Sequence, residues 1–435
     1  MLFEGRIVLK GGHVVDPVSG IDEVMDIRLD DGIVLEMSKE INPVPGEQAV
    51  PCDGQYVFPG FVDLHVHFRD PGQTYKETLE SGSRAAAAGG YTSVCPMPNT
   101  SPANDDFSKI TMLLKRSMEE SPIRILPVSA ITKEQGGTEL VDIPNVKLAG
   151  AVALSEDGKS VMDICLYEKA MRIAAKEKLT ILAHCEDKNL VQGGVINAGA
   201  KAEELNLPGI SNAVEDVIAA RDIFLAGETG AKLHLCHCST KGSVGLAILA
   251  KNLGYSVTAE ACPHHFALCD EDITGDDGNF KMNPPLRSRE DMLAIRQGLK
   301  RGIIDCISTD HAPHSEEEKA NGFRKSPFGI VGLETAFALS YTTLVKEEGM
   351  PLMDLIRLMS TNPSRIIGWK GGSITVGKPA DITVCSLDEW TIDRNSFISK
   401  GHNTPFHGRK VYGKVLRTFV GGKQVYQNPD CDFLF

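Results

Sequence analysis

Between residues 58 and 368 the chain repeats one unit: an apolar or β-branched segment of strand length, then an amphipathic stretch of helical period. Eight strand-like segments stand out, at 60–67, 92–97, 124–130, 149–155, 180–185, 232–238, 256–261 and 305–309. Helical stretches fall between them at 77–88, 106–120, 165–177, 212–228, 242–252 and 289–300. Strands alternating with helices require parallel pairing, because each crossover helix carries the chain back to start the next strand in the same direction. Eight such units predict an α/β fold of the (β/α)8 TIM-barrel type. An open doubly wound sheet is the alternative. No Gly-x-Gly-x-x-Gly follows the first strand, which counts against a dinucleotide-binding version of it.

The chain ends have another texture. Alternating strands are broken by tight-turn signals, such as Gly11-Gly12, Asp30-Asp31-Gly32 and Gly421-Gly422. Neither end alone offers a sheet with a well-buried face. The economical expectation is one small β-sandwich domain built from residues 1–57 and 369–435, beside a catalytic barrel of residues 58–368. His13, His402 and His407 fall in these ends and receive no role.

With 435 residues and 42% hydrophobic content, the chain can bury a large core. A net charge of −13 argues against nucleic acid or an anionic membrane as partner. No apolar run is long enough to span a bilayer, and Met1-Leu2-Phe3-Glu4-Gly5-Arg6 carries charge where a signal peptide would be apolar. Eleven scattered cysteines then fit reduced thiols, and a cytoplasmic location is expected.

Reactive groups in such a barrel gather at the C-terminal ends of the strands. Nine of the twelve histidines lie within the repeating region, almost all at those ends. Structural histidines have no reason to collect there. His65 and His67 share one side of the first strand by its period of two. His184 ends the fifth strand and His237 the sixth, while Asp157 and Asp310 follow the fourth and eighth. Four imidazoles and two carboxylates exceed one catalytic zinc, which usually takes three protein ligands and a water. They suit two zinc ions sharing a bridging carboxylate and a bridging hydroxide. His234, out of phase with His237, reads as a core or wall residue. Cys236 and Cys238 read as wall packing, because alternation points them away from His237. His264 and His265 are left outside the site.

Three stretches are specific: Asp63-Leu64-His65-Val66-His67-Phe68-Arg69-Asp70-Pro71-Gly72, Cys95-Pro96-Met97-Pro98-Asn99-Thr100, and Ser308-Thr309-Asp310-His311-Ala312-Pro313-His314. They resemble the signatures of the dihydroorotase family, in its long bacterial form, within the amidohydrolase superfamily. The resemblance covers essentially the whole chain, including Gly377-Lys378-Pro379-Ala380-Asp381. It implies that His65 and His67 hold one zinc with Asp157, that His184 and His237 hold the second, and that Asp157 bridges them. Asp310 would touch the first zinc and do the proton work. The implied reaction is the reversible closure of N-carbamoyl-L-aspartate to L-dihydroorotate in pyrimidine synthesis.

The implied substrate carries a carboxylate to be fixed away from the metals. Arg69 has the fork for it. By resemblance Asn99 and His314 share that carboxylate, His67 adjoins the substrate, and Asn283 with the backbone of Phe328-Gly329 holds the ring. Taken alone, Arg69 could be a surface salt-bridge partner and Asn283, before two prolines, a turn residue. Hydantoinases, dihydropyrimidinases and allantoinases are the rival enzymes. Many such relatives bridge their metals with a carboxylated lysine on strand four, whereas Lys147 here precedes that strand and should lie at the opposite end. A non-catalytic scaffold for aspartate transcarbamoylase is the rival of another class, but every expected ligand is present. A homodimer, and association of a catalytic chain with aspartate transcarbamoylase, are further implications. The stretch Ser315 to Gly322 looks polar and mobile.

Overall fold

The computed structural model describes residues 5–429 and 431. Residues 1–4, 430 and 432–435, on which the leader reading and parts of the expected terminal domain fall, lie outside the described residues. Each expected strand segment forms, all but the second of them shortened: Phe61–Val66, Tyr91–Pro96, Arg124–Ile125 with Val128–Ala130, Ala153–Ser155, Thr180–Ala183, Lys232–Leu235, Val257–Ala261 and Cys306–Ile307. Every ladder among them is parallel.

The third segment is interrupted. Pro127 has no N–H to give a ladder, so Arg124–Ile125 pairs with Tyr91–Pro96 while Val128–Ala130 pairs with Ala153–Ser155. Regular ladders thus run as three strands and six strands. At the break, Leu126 N–H donates to Val94 O and Val152 N–H to Pro127 O, each at 2.9 Å. On the other side an isolated bridge pairs Val66 with His311, and His67 N–H donates to His311 O at 2.8 Å. The last segment thereby meets the first.

Helices Leu79–Ala88, Phe107–Glu120, Ile164–Glu177, Ala213–Thr229, Lys241–Asn252 and Arg289–Lys300 occupy the expected crossovers. Thr78, Asp106, Thr240 and Ser288 cap four of them, each side chain accepting an N–H of the first turn. A further helix, Ile143–Ala149, carries Lys147 before the fourth strand. Lys147 Nζ lies 3.1 Å from Glu177 Oε2 in an exposed pair, far from the strand ends that bear the histidines.

Both chain ends contribute to one eight-stranded sheet. Its order is Lys423–Gln427, Lys410–Val420, Ile382–Thr391, Tyr56–Pro59, Ile7–Asp16, Ile21–Asp30 and Ile33–Ser38, with Gln48–Pro51 also on Ile7–Asp16. Ile7, Leu9, Val14, Ile27, Leu29, Val57, Ile382, Val384 and Phe419 pack into its own buried cluster. An aromatic seam ties this sheet to the barrel: Phe61 lies 5.3 Å from Phe337 and 5.9 Å from Tyr91 between ring centroids, with Phe58 5.7 Å from Phe337. Burying each such ring contributes roughly 1.5–3 kcal/mol. Among the described residues no helix is long and apolar enough to cross a membrane.

Candidate metal centre

His65 lies within the first strand, and the other reactive residues follow just after strand ends. His67 follows Val66, Asp157 comes two residues after Ser155, His184 follows Ala183, and His237 comes two after Leu235. Three of these turns hold a non-glycine residue in the left-handed region: Arg69 at φ 59°, His237 at 35° and Asp310 at 48°. Such conformations persist only where the surroundings enforce them, and they concentrate at functional sites. The turn at His237 also corrects the reading of Cys236. Alternation does not extend through a left-handed residue, and Cys236 packs inward beside His65 and Glu260, whereas Cys238 joins the outer core as expected.

Asp157 is the hub. Its Oδ1 lies 3.2 Å from His65 Nε2, 3.5 Å from His184 Nδ1 and 3.8 Å from His237 Nε2, and its Oδ2 lies 3.6 Å from His67 Nε2. Asp310 Oδ1 lies 2.9 Å from His67 Nε2 and 3.6 Å from His65 Nε2. All six side chains are buried.

Hydrogen bonds behind these atoms fix which nitrogens face inward. His65 Nδ1 bonds Glu260 Oε1 at 3.2 Å, and His67 Nδ1 bonds Asn99 Oδ1 at 3.0 Å. Both partners accept only, so both rings carry their proton on Nδ1 and a lone pair on Nε2. The His67 lone pair then confronts a carboxylate oxygen at 2.9 Å. His184 Nδ1 and His237 Nε2 meet at 2.9 Å, a single hydrogen bond between two rings. His65 Nε2 is buried without a hydrogen-bond partner, its 3.2 Å approach to Asp157 lacking the required alignment. Acceptors packed against acceptors in a dry site repel unless a proton or a cation stands between them. The donor set therefore fits divalent cations of the kind that take imidazole and carboxylate ligands.

The charges are strongly coupled. Burial pushes the Asp157 carboxyl up, but His65, His184 and His237 outweigh it and hold it well below the carboxylate range. His65 and His67 do the same for Asp310. In return Asp157 and Glu186 outweigh burial at His184 and raise it to about 10.

A cavity of about 600 Å³ opens over this cluster. His67, Arg69, Asn99, Asp157, His184, His237, Asn283, Asp310, Phe328 and Gly329 line it, while His65 lies beneath and His314 beside Phe328. Asn99 is engaged on both sides, since its Nδ2 donates to Asp157 Oδ2 at 3.1 Å. His264 and His265 are not part of this lining. A neighbouring cavity of about 710 Å³, lined by Phe68, Met97, Met112 and Leu113, is apolar and its Asp70 is already paired with Arg116.

Several residues were not singled out from the sequence. Glu260 bonds His65, His234 Nε2 (2.9 Å) and Ser308 at once. A carboxylate inside the otherwise uncharged strand Val257–Ala261 was the available signal. Glu186 accepts from Asn283 Nδ2 and lies 3.8 Å from His184 Nε2. Lys76 reaches His314, and Asn403 holds the backbone around it. The polar stretch after His314 holds a short helix at Glu316–Lys319. Ser315 caps it, and the buried Lys319 Nζ donates to the carbonyls of Lys281, Pro327 and Gly329.

Residues 56–425 match the Amidohydrolase family. The dihydroorotase of Staphylococcus epidermidis is 45% identical over 97% of this chain and 99% of its own length. The chain is a member of the amidohydrolase family, on its dihydroorotase branch. The Syntrophus aciditrophicus dihydroorotase is 44% identical over 97% of this chain and 99% of its own. Among solved structures, the L-hydantoinase (dihydropyrimidinase) of Arthrobacter aurescens superposes with a TM-score of 0.88 at 25% identity, covering 98% of this chain and 96% of its own. Dihydropyrimidinase from Brevibacillus agri gives 0.85 at 22% identity, over 97% and 95%, and speaks for the fold alone. The amidohydrolase fold combines a TIM barrel with a β-sandwich, and its members depend on metal.

Proposed function

We propose that this chain is a dihydroorotase that interconverts N-carbamoyl-L-aspartate and L-dihydroorotate with two zinc ions. His65, His67 and Asp310 would hold one ion, His184 and His237 the other, with Asp157 between them. The observation that carries the reading is the Asp157 carboxylate lying within 3.8 Å of all four imidazoles, with Asp310 across from it. When bound, the ions supply a water of pKa about 7 as nucleophile and polarise the ring carbonyl.

The chain's own groups do the rest. Asp310 takes the nucleophile's proton and returns it to the departing ring nitrogen; in the synthetic direction it removes the proton of the carbamoyl nitrogen. Such a shuttle typically contributes 10²- to 10⁴-fold. Arg69 and His314 bind the substrate carboxylate, and Asn99 orients His67 while reaching toward the same group. Asn283 and the backbone of Phe328-Gly329 hold the ring. Residues 58–368 act as the catalytic unit and residues 1–57 with 369–435 as the bracing domain. A homodimer and association with aspartate transcarbamoylase belong to the same reading, on the family resemblance.

Metal analysis paired with hydrolysis assays tests it. Two zinc equivalents per chain and hydrolysis of dihydroorotate in preference to dihydrouracil are expected. Preference for dihydrouracil would move the chain to the hydantoinase type, and a loaded but inactive chain would leave a scaffold.

A further inference from the structure

Lys76, in the loop between the first strand and its helix, has no part in the reaction as described. It is buried, and its Nζ lies 3.1 Å from His314 Nδ1 and 3.0 Å from Glu318 Oε1. An ammonium offers donors only, so this bond runs from Nζ to a lone pair on Nδ1. The opposite nitrogen, Nε2, faces the Phe328 carbonyl at 2.8 Å, and a carbonyl can only accept. Two partners on opposite sides of the ring thus assign the same tautomer, with the single proton on Nε2.

Arg69 Nη2 stands 3.4 Å from that protonated nitrogen. Two donors facing one another do not bond; they converge on a shared acceptor. Burial, with the charges of Arg69, Lys76 and Lys319, pushes His314 down to about 2, so the ring stays neutral and the tautomer alone decides what it offers.

We infer that Lys76 is a positioning residue for the substrate carboxylate: by donating to His314 Nδ1 while the Phe328 carbonyl takes the Nε2–H, it fixes the ring beside Arg69 where the anionic group binds. Glu318, on the short capped helix, holds Lys76 in place. The inference rests on the functional reading above and deepens it.

The test uses the full chain loaded with zinc and labelled with [15N]histidine. Two-bond ¹⁵N–¹H spectra report each imidazole tautomer, and His314→Gln assigns the signal. Wild type is expected to show the Nε2–H pattern at His314; an Nδ1–H pattern there overturns the inference without any Lys76 variant. Lys76→Met should leave the Nε2–H on the Phe328 carbonyl, loosen the hold on the ring, and raise KM for carbamoyl aspartate about tenfold, the loss of one charge-assisted hydrogen bond. Zinc content and kcat should hold within about twofold, and Lys76→Arg should restore most of KM. An unchanged KM in Lys76→Met, or a fall in kcat and zinc content as large as the change in KM, overturns the inference. A wild type inactive on dihydroorotate but with the Nε2–H pattern at His314 overturns the functional reading and leaves the lysine's hold on the ring standing.

Discussion

Asn403 clamps His314 from the far side of the chain: its Oδ1 accepts the His314 N–H at 3.0 Å. Its Nδ2 donates to Ala312 O at 3.0 Å and Gly329 O at 3.1 Å, and its carbonyl accepts Val331 N–H at 3.1 Å. This residue comes from the excursion between Ile382–Thr391 and Lys410–Val420 of the terminal sheet. The excursion lies so close that a Cβ on Gly401 would meet Pro313 at 2.6 Å.

Replacing Asn403 therefore acts on substrate handling at a distance. Asn403→Ala leaves buried partners unpaired at about 1–3 kcal/mol each, so a lower Tm and a raised KM are expected with zinc content unchanged. Asn403→Asp keeps the acceptor and loses both donors, and should fall between. Calorimetry and steady-state kinetics check this; a normal KM in Asn403→Ala would detach the clamp from the site.

Asp310→Asn should lower kcat by about 10²- to 10⁴-fold, because the amide keeps the shape and cannot carry the proton. The histidines keep their partners behind the site, so at least one zinc should remain. Turnover near wild type would remove Asp310 from its role.

Glu260 is fully buried and holds His65 in the tautomer that faces Asp157. Glu260→Gln should weaken zinc affinity by about 10- to 100-fold, as outer-shell changes do, with little change in KM once zinc saturates. Chelator competition measures it. An unaltered affinity would reduce Glu260 to a structural partner of His234.

Zinc binding should release protons. His184 is raised to about 10 and His65 well above its ordinary value by the neighbouring carboxylates, and imidazoles bind metal only when deprotonated. Affinity should therefore rise with pH up to about 10 and fall steadily below neutrality. Titration calorimetry in buffers of different ionisation enthalpy counts the protons, and none released would contradict this charge balance.

Much of this was legible in the sequence for a definite reason. Strand-length apolar runs and helical periods are local signals, and the barrel rule turns strand ends into a list of candidates; hence His65, His67, Asp157, His184, His237 and Asp310. What stayed hidden is tertiary. Nothing near Lys76 announces His314, and nothing near Asn403 announces Gly329, because their partners lie more than two hundred residues away in one case and about ninety or fewer in the other. Cys236 was misread because period-two alternation was carried through His237, where the backbone turns left-handed. The polarity of Ser315 to Lys319 does not reveal that Lys319 finds three carbonyls.

The bridge between Val66 and His311 has one more consequence. It lies between His65 and His67 on one edge and Asp310 on the other, groups separated by more than two hundred residues of chain. Contacts of such sequence separation form late and slowly, so the proposed metal pocket should be completed only late in folding. Metal bound at the proposed site would fasten that seam, and its escape during heating should mark the parting of the two edges.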